Sequence, residues 1–209
     1  MSQPWDEADL MRMVENTAGY TPAGDYFDMR PHLPVLYSIA RWCTCSPLGE
    51  PLPLRPPRCL EIGVRQGTST IAILMAMRRT NGRLISLDFD PVESAVTQQT
   101  VREQGLDQWW DFHLAHSDEF AITFTEELDF LWIDGEHEHP QPSRDFANYA
   151  PRVRQGGIIA MHDYWVDSPR PTALGVLYCV EEVRKSGQFE ICSLPWAYGL
   201  TIMRKIVDR

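Results

Sequence analysis

No stretch of this 209-residue chain approaches the roughly 18 consecutive apolar residues that a membrane-spanning helix requires, so a membrane partner is not expected. The opening residues, Met1 to Asp9, contain neither the basic segment nor the apolar segment of a secretory leader, and the expected location is cytoplasmic. Cysteine is sparse and badly spaced for metal: Cys43, Cys45, Cys59, Cys179 and Cys192 make an odd set, and Cys43-Thr44-Cys45 is one residue short of a redox Cys-x-x-Cys. Reduced, mostly buried thiols are expected. Positive charge is also in short supply. With 19 Lys plus Arg against 29 Asp plus Glu, the net charge of −10 argues against a face built to grip phosphate backbone, and nucleic acid is not an expected partner.

What is present is ordinary globular composition, 44% apolar and 23% charged, in a chain long enough to bury a core without disulfides or structural metals. Trp5, Leu10, Met13 and Val14 suggest an amphipathic helix over residues 5–16, which Thr21 to Asp25 interrupt. A second helix is expected over about 31–42, where Leu33, Leu36, Ile39 and Ala40 share a side. Pro47, Pro51, Pro53, Pro56 and Pro57 then forbid a regular helix and read as a connector.

From Arg58 onward, short apolar runs alternate with helical patterns, the signature of parallel strands joined by crossover helices. Strands are expected at 58–62, 83–88, 111–115, 129–134 and 157–161, with helices at 67–80, 91–104, 118–126, 143–154 and 172–185. Two further β-like runs, 188–194 and 198–205, are joined only by Pro195-Trp196-Ala197, a link short enough to force antiparallel pairing. The expected class is α/β: a doubly wound, seven-stranded, mostly parallel sheet with an antiparallel C-terminal hairpin and an N-terminal helical extension. The acidic pairs Glu126-Glu127 and Glu181-Glu182 read as solvated helix surface.

Three motifs fall at the carboxyl ends of the expected strands. In Glu61-Ile62-Gly63-Val64-Arg65-Gln66-Gly67-Thr68-Ser69 a strand runs through a glycine-flanked turn into a helix, at the point where doubly wound sheets bind ligands. Gly63 lets the backbone turn tightly against a ligand, and Gly67 lets the helix start close to the sheet. Arg65 stands where a dinucleotide fingerprint carries the glycine that admits pyrophosphate, which weakens that reading. Asp88 ends the second strand, where a carboxylate can accept ribose hydroxyls, while Asp90, directly before Pro91, is the better helix cap. Finally, Asp134-Gly135-Glu136-His137 and His162-Asp163 end adjacent strands. Asp134 and Asp163 there make a candidate hard-metal site of the kind magnesium prefers, with His162 beside them, although alternation along a strand would point His162 and Asp163 opposite ways. His137 is a candidate general base, and His139 reads as structural.

Taken together these motifs resemble class I S-adenosylmethionine-dependent methyltransferases, over about residues 58–209. The pair Asp134-Gly135-x-His137 and Gly156-Gly157…His162-Asp163 is similar to a bacterial group that includes macrocin O-methyltransferase and the cephalosporin hydroxylase-like proteins. The resemblance implies a Rossmann-like fold divided into an N-terminal helical extension or lid with its connector, 1–57, and a cofactor-binding domain, 58–209. It implies that Glu61, Gly63, Gly67 and Ser69 surround the methionine and ribose parts of S-adenosylmethionine, that Asp88 holds the ribose, and that Ser117 and Asp118 meet the adenine edge. Asp134 and Asp163 would lie near the transferred methyl and any Mg2+. Where the catechol-type site has Asp-Asn, this chain has His162-Asp163.

Physical chemistry is consistent with that resemblance. S-adenosylmethionine has no phosphate and carries a sulfonium cation, so its pocket needs no middle glycine, and acidic walls favour it. The expected reaction is O-methylation of a small hydroxylated molecule such as a sugar or secondary metabolite, with His137 as base, Asp134 at the reacting centre and possible magnesium assistance. Tyr20, Tyr26 and Phe27 belong to a lid over the substrate, or else to a packing arm or homo-oligomer contact; the loop 164–171 is a second candidate for substrate contact. The alternatives are a nicotinamide-dependent oxidoreductase on a similar sheet and a non-catalytic binding protein that kept the fold.

Overall fold

Leu128–Ile133 is apolar at five of its six positions and buried at all six, as a strand covered on both faces must be. Phe130 and Trp132 enter one core while Leu131 and Ile133 enter the other, so this strand divides two hydrophobic layers. In the computed structural model the described residues are 8, 29–44, 55–164 and 174–206. Their strands are β1 (Arg58–Ile62), β2 (Arg83–Asp88), β3 (Trp110–Leu114), β4 (Leu128–Ile133), β5 (Val153–His162), β6 (Phe189–Leu194) and β7 (Leu200–Lys205), in the sheet order β3-β2-β1-β4-β5-β7-β6. β1 to β5 are parallel, and β7 inserts antiparallel between β5 and β6. This is the expected seven-stranded Rossmann-like sheet with its C-terminal hairpin.

The helices are α1 (Leu33–Trp42), α2 (Thr68–Thr80), α3 (Pro91–Glu103), α4 (Ser117–Ala121), α5 (Gln141–Tyr149) and α6 (Gly175–Ser186). α2 is buried continuously from Ser69 to Met77 because α1 covers the side turned away from the sheet. Asp90 caps α3 as expected, its carboxylate accepting the amides of Val92 and Glu93 at 2.8 and 3.1 Å. No helix among the described residues is long and apolar enough to cross a membrane. Cys43, Cys59 and Cys179 are buried free thiols, and Cys192 is an exposed one.

Some boundaries differ from expectation for identifiable reasons. The helix expected over 118–126 ends at Ala121, where β-branched Ile122, Thr123 and Thr125 begin and Phe124 turns into the core. Glu126 and Glu127 are therefore not helix surface. They lie in the connection to β4, where Glu126 is 3.7 Å from Arg58 and 3.6 Å from Arg83, and Glu127 is 2.8 Å from Arg55. Gly156 and Gly157 are inside β5 rather than before it. They absorb a register shift between Val153 and Ile158, and a Cβ on Gly157 would lie 2.7 Å from the Val153 side chain. The hairpin connection is also longer than expected: β7 begins at Leu200, after Ala197, Tyr198 and Gly199 at positive φ. The helix over 5–16, the aromatic residues Tyr20, Tyr26 and Phe27, and the segment 165–171 lie outside the described residues.

Candidate active site

The carboxyl ends of β1, β2 and β4 are laced together by backbone. Gly63 N–H donates to Leu87 O and Asp134 N–H to Ile62 O, each at 2.9 Å. Gly63 has φ 91°, and a Cβ there would lie 2.6 Å from the Asp134 carbonyl carbon. The glycine is thus required by the end of β4, in addition to any ligand. Gly67, at φ 79°, serves α3 rather than the sheet: a Cβ there would come within 2.7 Å of Thr97 Oγ1, which itself donates to Arg65 O.

Two cavities flank this turn. The larger, of about 310 Å³, is walled by residues that include Leu87, Asp88, Phe89, His116 and Ser117, and the smaller, of about 50 Å³, by Val64, Gln66, Thr68 and Ser69; Gly63 and Asp134 border both. Six of the sixteen residues of the larger wall are acids, Asp90, Glu93, Glu136 and Asp145 joining Asp88 and Asp134, against one arginine, Arg65. Phe89 is 65% exposed beside the cavity, its ring 6.1 Å from that of His116, a pairing able to hold a planar base.

The expected cofactor residues are not all on these walls. Asp88 is there, but its carboxylate also organises the turn, accepting the amides of Val64, Arg65 and Asp90 at 2.8 Å each. Glu61 is absent from both walls. It is fully buried beneath the turn, where Ser69, Thr70 and Ser86 hydroxyls donate to it at 2.6, 2.8 and 2.7 Å. Burial pushes its carboxyl up to about 7, with the hydroxyls opposing. Ser117 is on the wall, while Asp118 faces α5, accepting from Asn148 at 3.0 Å with Arg144 at 3.4 Å. Gln141, which sequence reasoning did not place in the site, and Asp145 hold Ser117 instead: Ser117 Oγ and Gln141 Nε2 donate to Asp145 Oδ1 at 2.5 and 2.9 Å. Phe89 was also missed, although its position directly after Asp88 was the available signal.

A second cluster adjoins the large cavity through Asp134. Ile133 pairs with Met161, so Asp134 and His162 follow side by side on β4 and β5. Asp163 has φ 64°, which breaks strand alternation and turns its carboxylate back toward His162. The expected divergence of these two side chains therefore does not occur. His162 Nδ1 lies 3.5 Å from Asp134 Oδ1 and 3.4 Å from Asp163 Oδ2. His137 Nε2 lies 3.0 Å from Asp163 Oδ2 and 3.5 Å from Asp134 Oδ1, but off the direction of a hydrogen bond to either. The loop carrying His137 is held by α6, whose Gly175 donates its amide to His137 O at 3.1 Å. His139 is exposed and packs against Tyr178, as expected of a structural residue.

Carboxylates and imidazoles in the cluster bias one another's protonation. Burial opposes charge on His162, yet the Asp134 and Asp163 carboxylates overcome it and push the imidazolium up to about 10. His137 is raised in the same way, against its burial, by Asp134 and Asp163. Asp134 is lowered to about 2, because the two imidazoles outweigh its desolvation. The donor set of Asp134, His162 and Asp163, with all three ligand atoms within 4.8 Å of one another, fits a divalent metal.

A family profile described as "Methyltransferase domain" matches residues 60–164, from β1 through the turn after β5. The chain belongs to the methyltransferase family. The match contains the lining of the larger cavity, that of the smaller one apart from Met29, and all of Asp134, His137, His162 and Asp163, and leaves the β6–β7 hairpin outside it. The methyltransferase chain is 29% identical over 108 residues to a catechol O-methyltransferase of Niastella koreensis; the alignment takes in 50% of this chain and 47% of that protein, so it spans about half the length of that curated relative. Two solved structures have the same fold. One is an O-methyltransferase of tomaymycin synthesis from Streptomyces achromogenes in complex with SAM, with TM-score 0.71 and 17% identity over 98% of this chain and 92% of that one. The other is a methyltransferase of Podospora anserina bound to SAH, with TM-score 0.71 and 18% identity over 99% and 91%.

Proposed function

We propose that this methyltransferase transfers the methyl group of S-adenosylmethionine to a hydroxyl oxygen of a small molecule. The observation that carries this reading is the double position of Asp134. It borders the larger cavity and also the cluster of His137, His162 and Asp163, so a cation bound in the cavity and an acceptor at the cluster would meet across one residue. The acid-rich wall supports a sulfonium cofactor, and the open pairing of Phe89 with His116 supports its adenine. The sites proposed for the rest of the cofactor are Asp88 for the ribose and the Gly63–Ser69 turn for the methionine end, with Glu61 supporting Ser69 from beneath.

In the reaction the acceptor oxygen attacks the methyl carbon, the carbon–sulfur bond breaks, and its electron pair stays on sulfur, giving S-adenosylhomocysteine. The main task of the enzyme is alignment, which can supply about 7–11 kcal/mol in well-fixed systems. His137 would take the hydroxyl proton, and Asp134 and Asp163, whose carboxylates lie 3.5 and 3.0 Å from its Nε2, would stabilise its charge once protonated. A divalent metal, magnesium in the family resemblance, would be held by Asp134 and Asp163 with His162, and when bound would lower the pKa of a coordinated hydroxyl. A cytoplasmic location and a small hydroxylated acceptor complete this reading.

The test is a thermal-shift series on the full chain with S-adenosylmethionine, S-adenosylhomocysteine and NAD, followed by mass spectrometry of candidate polyols and phenols incubated with S-adenosylmethionine. Stabilisation by both sulfur ligands and a gain of one methyl on oxygen are expected. A shift with NAD and none with S-adenosylmethionine would overturn the reading in favour of an oxidoreductase.

A further inference from the structure

We propose that His162 makes the Asp134–Asp163 pair a site for a first-row transition-metal dication of the manganese, cobalt or zinc class in preference to magnesium. The inference deepens the methyl-transfer reading and rests on it for the acceptor's place beside the metal. The metal preference itself rests on the side chains alone.

The position of the imidazole is built rather than incidental. His162 is 4% exposed, and its Nε2 lies 2.9 Å from Ala197 O, which can only accept; Nε2 therefore keeps its proton and Nδ1 faces the two carboxylates, where a bound metal would displace the second proton of the metal-free imidazolium. The carbonyl that fixes this tautomer is itself fixed. Ala197, Tyr198 and Gly199 all have positive φ, and the neighbouring carbonyl of Trp196 is held at 3.0 Å by the Nε2 of buried His32. A Cβ on Gly199 would lie 2.8 Å from the Tyr164 carbonyl carbon, so the turn is seated on the chain that leaves β5. Hydrogen bonding from the second ring nitrogen to backbone is the usual way that proteins orient a ligating histidine.

The distances distinguish ligands from a simple ion pair. A charge-assisted N–H···O bond is about 2.7–2.9 Å long, whereas His162 Nδ1 stands 3.5 and 3.4 Å from its two carboxylate oxygens. Donor atoms that each lie about 2.0–2.2 Å from a common ion are separated by roughly 3 Å or slightly more. The distance from His162 Nδ1 to each carboxylate oxygen thus suits ligands of one ion better than a directed hydrogen bond. Beside them His137 Nε2, 3.0 Å from Asp163 Oδ2, has no directed hydrogen-bond partner.

Magnesium favours all-oxygen surroundings and retains its waters, while an imidazole nitrogen raises affinity along the first-row series from manganese to copper and for zinc. One nitrogen and two carboxylates leave further coordination positions, which could accept the oxygen of the acceptor.

The test uses the full chain stripped with chelator, titrated separately with Mg2+, Mn2+ and Co2+ by calorimetry, for wild type and for His162→Asp. Wild type is expected to bind Mn2+ at least tenfold more tightly than Mg2+, and His162→Asp, with its all-oxygen set, to narrow that ratio by tenfold or more. Wild type loaded with Co2+ should show visible ligand-field bands, and pulsed electron paramagnetic resonance of the Mn2+ form should show coupling to one imidazole nitrogen. An unchanged ratio in His162→Asp, equal affinity of wild type for Mg2+ and Mn2+, absence of metal binding, or absence of nitrogen coupling would overturn the proposal. The nitrogen-coupling measurement needs only wild type, so misfolding of the variant does not protect the idea. S-adenosylhomocysteine binding in the same samples separates the two readings: its loss would sink methyl transfer, while a metal result against the proposal would leave methyl transfer standing.

Discussion

A side chain at Gly63 would collide with the backbone of Asp134, its Cβ falling 2.6 Å from the Asp134 carbonyl carbon and 2.8 Å from Gly135 Cα. The first glycine of the turn and the carboxylate shared by the two halves of the site are therefore one structural unit. Any residue larger than glycine after β1 must displace the end of β4.

Gly63→Ala tests that coupling. Alanine is disfavoured at φ 91°, which alone costs about 1–3 kcal/mol, and the contact with Asp134 adds to it. A total loss of about 3 kcal/mol or more is expected in urea unfolding, together with loss of the thermal shift by S-adenosylhomocysteine. Stability within about 0.5 kcal/mol of wild type would show that β4 can move aside at little cost.

Asp129 holds the opposite end of the same strand. Its side chain is 3% exposed and accepts from Arg55 Nη1 and Arg154 Nε at 2.7 Å each, and from the Arg58 amide at 2.8 Å. Asp129→Ala leaves two guanidinium groups and an amide without this acceptor. Since both arginines retain some solvent contact, a loss of about 2–4 kcal/mol is expected. The residue borders neither cavity, so S-adenosylhomocysteine affinity should persist in the folded fraction; a variant as stable as wild type would mean that water replaces the carboxylate.

The reasons that parts of this molecule could be read from sequence are local. Arg58–Ile62 and Arg83–Asp88 appear at the expected bounds because an apolar run begins after a charged residue in each and a turn follows. Asp134, His137, His162 and Asp163 converge because neighbouring parallel strands end at one edge. What was hidden depends on backbone geometry or on distant partners. Alternation predicted divergence of His162 and Asp163, and only the positive φ of a non-glycine residue reverses it. Glu61 stands near the end of β1 like a ligand-binding acid, but three hydroxyls from α2 and β2 draw it inward. Helical pattern could not show that Glu126 faces Arg58 and Arg83 at the starts of β1 and β2, or that Glu127 meets Arg55 just before β1.

His137→Gln separates proton transfer from cofactor binding. His137 borders neither cavity, so S-adenosylhomocysteine should still stabilise the variant, while kcat should fall by about 10²–10³-fold with the loss of the base. Because the neighbouring carboxylates raise the pKa of His137 against its burial, the wild-type rate should climb with pH through a limb above 6.5, and the variant should lose that limb. Equal rates and pH profiles in the two proteins would remove His137 from the proton path.

Glu61 predicts a stability effect of opposite direction to that of an ordinary salt-bridged acid. Its carboxyl titrates near 7 in the folded protein, chiefly through burial, against 4.5 as the ordinary value. Between those pH values the folded state holds more protons than the unfolded one. Stability conferred by this group is therefore full below about 4.5, declines as pH rises to about 7, and stays low above it, a change on the order of 3 kcal/mol. Asp134, lowered by its imidazoles, acts at more acidic pH and with the reverse sign, so the profile of wild type alone mixes the two. The comparison that isolates Glu61 is wild type against Glu61→Gln, whose amide cannot ionise and can still meet the Ser69, Thr70 and Ser86 hydroxyls. In urea unfolding at a series of pH values, wild-type stability minus that of Glu61→Gln should decrease across pH 4.5 to 7 and be level outside it. A difference that stays level throughout would mean that the three hydroxyls hold Glu61 ionised despite its complete burial.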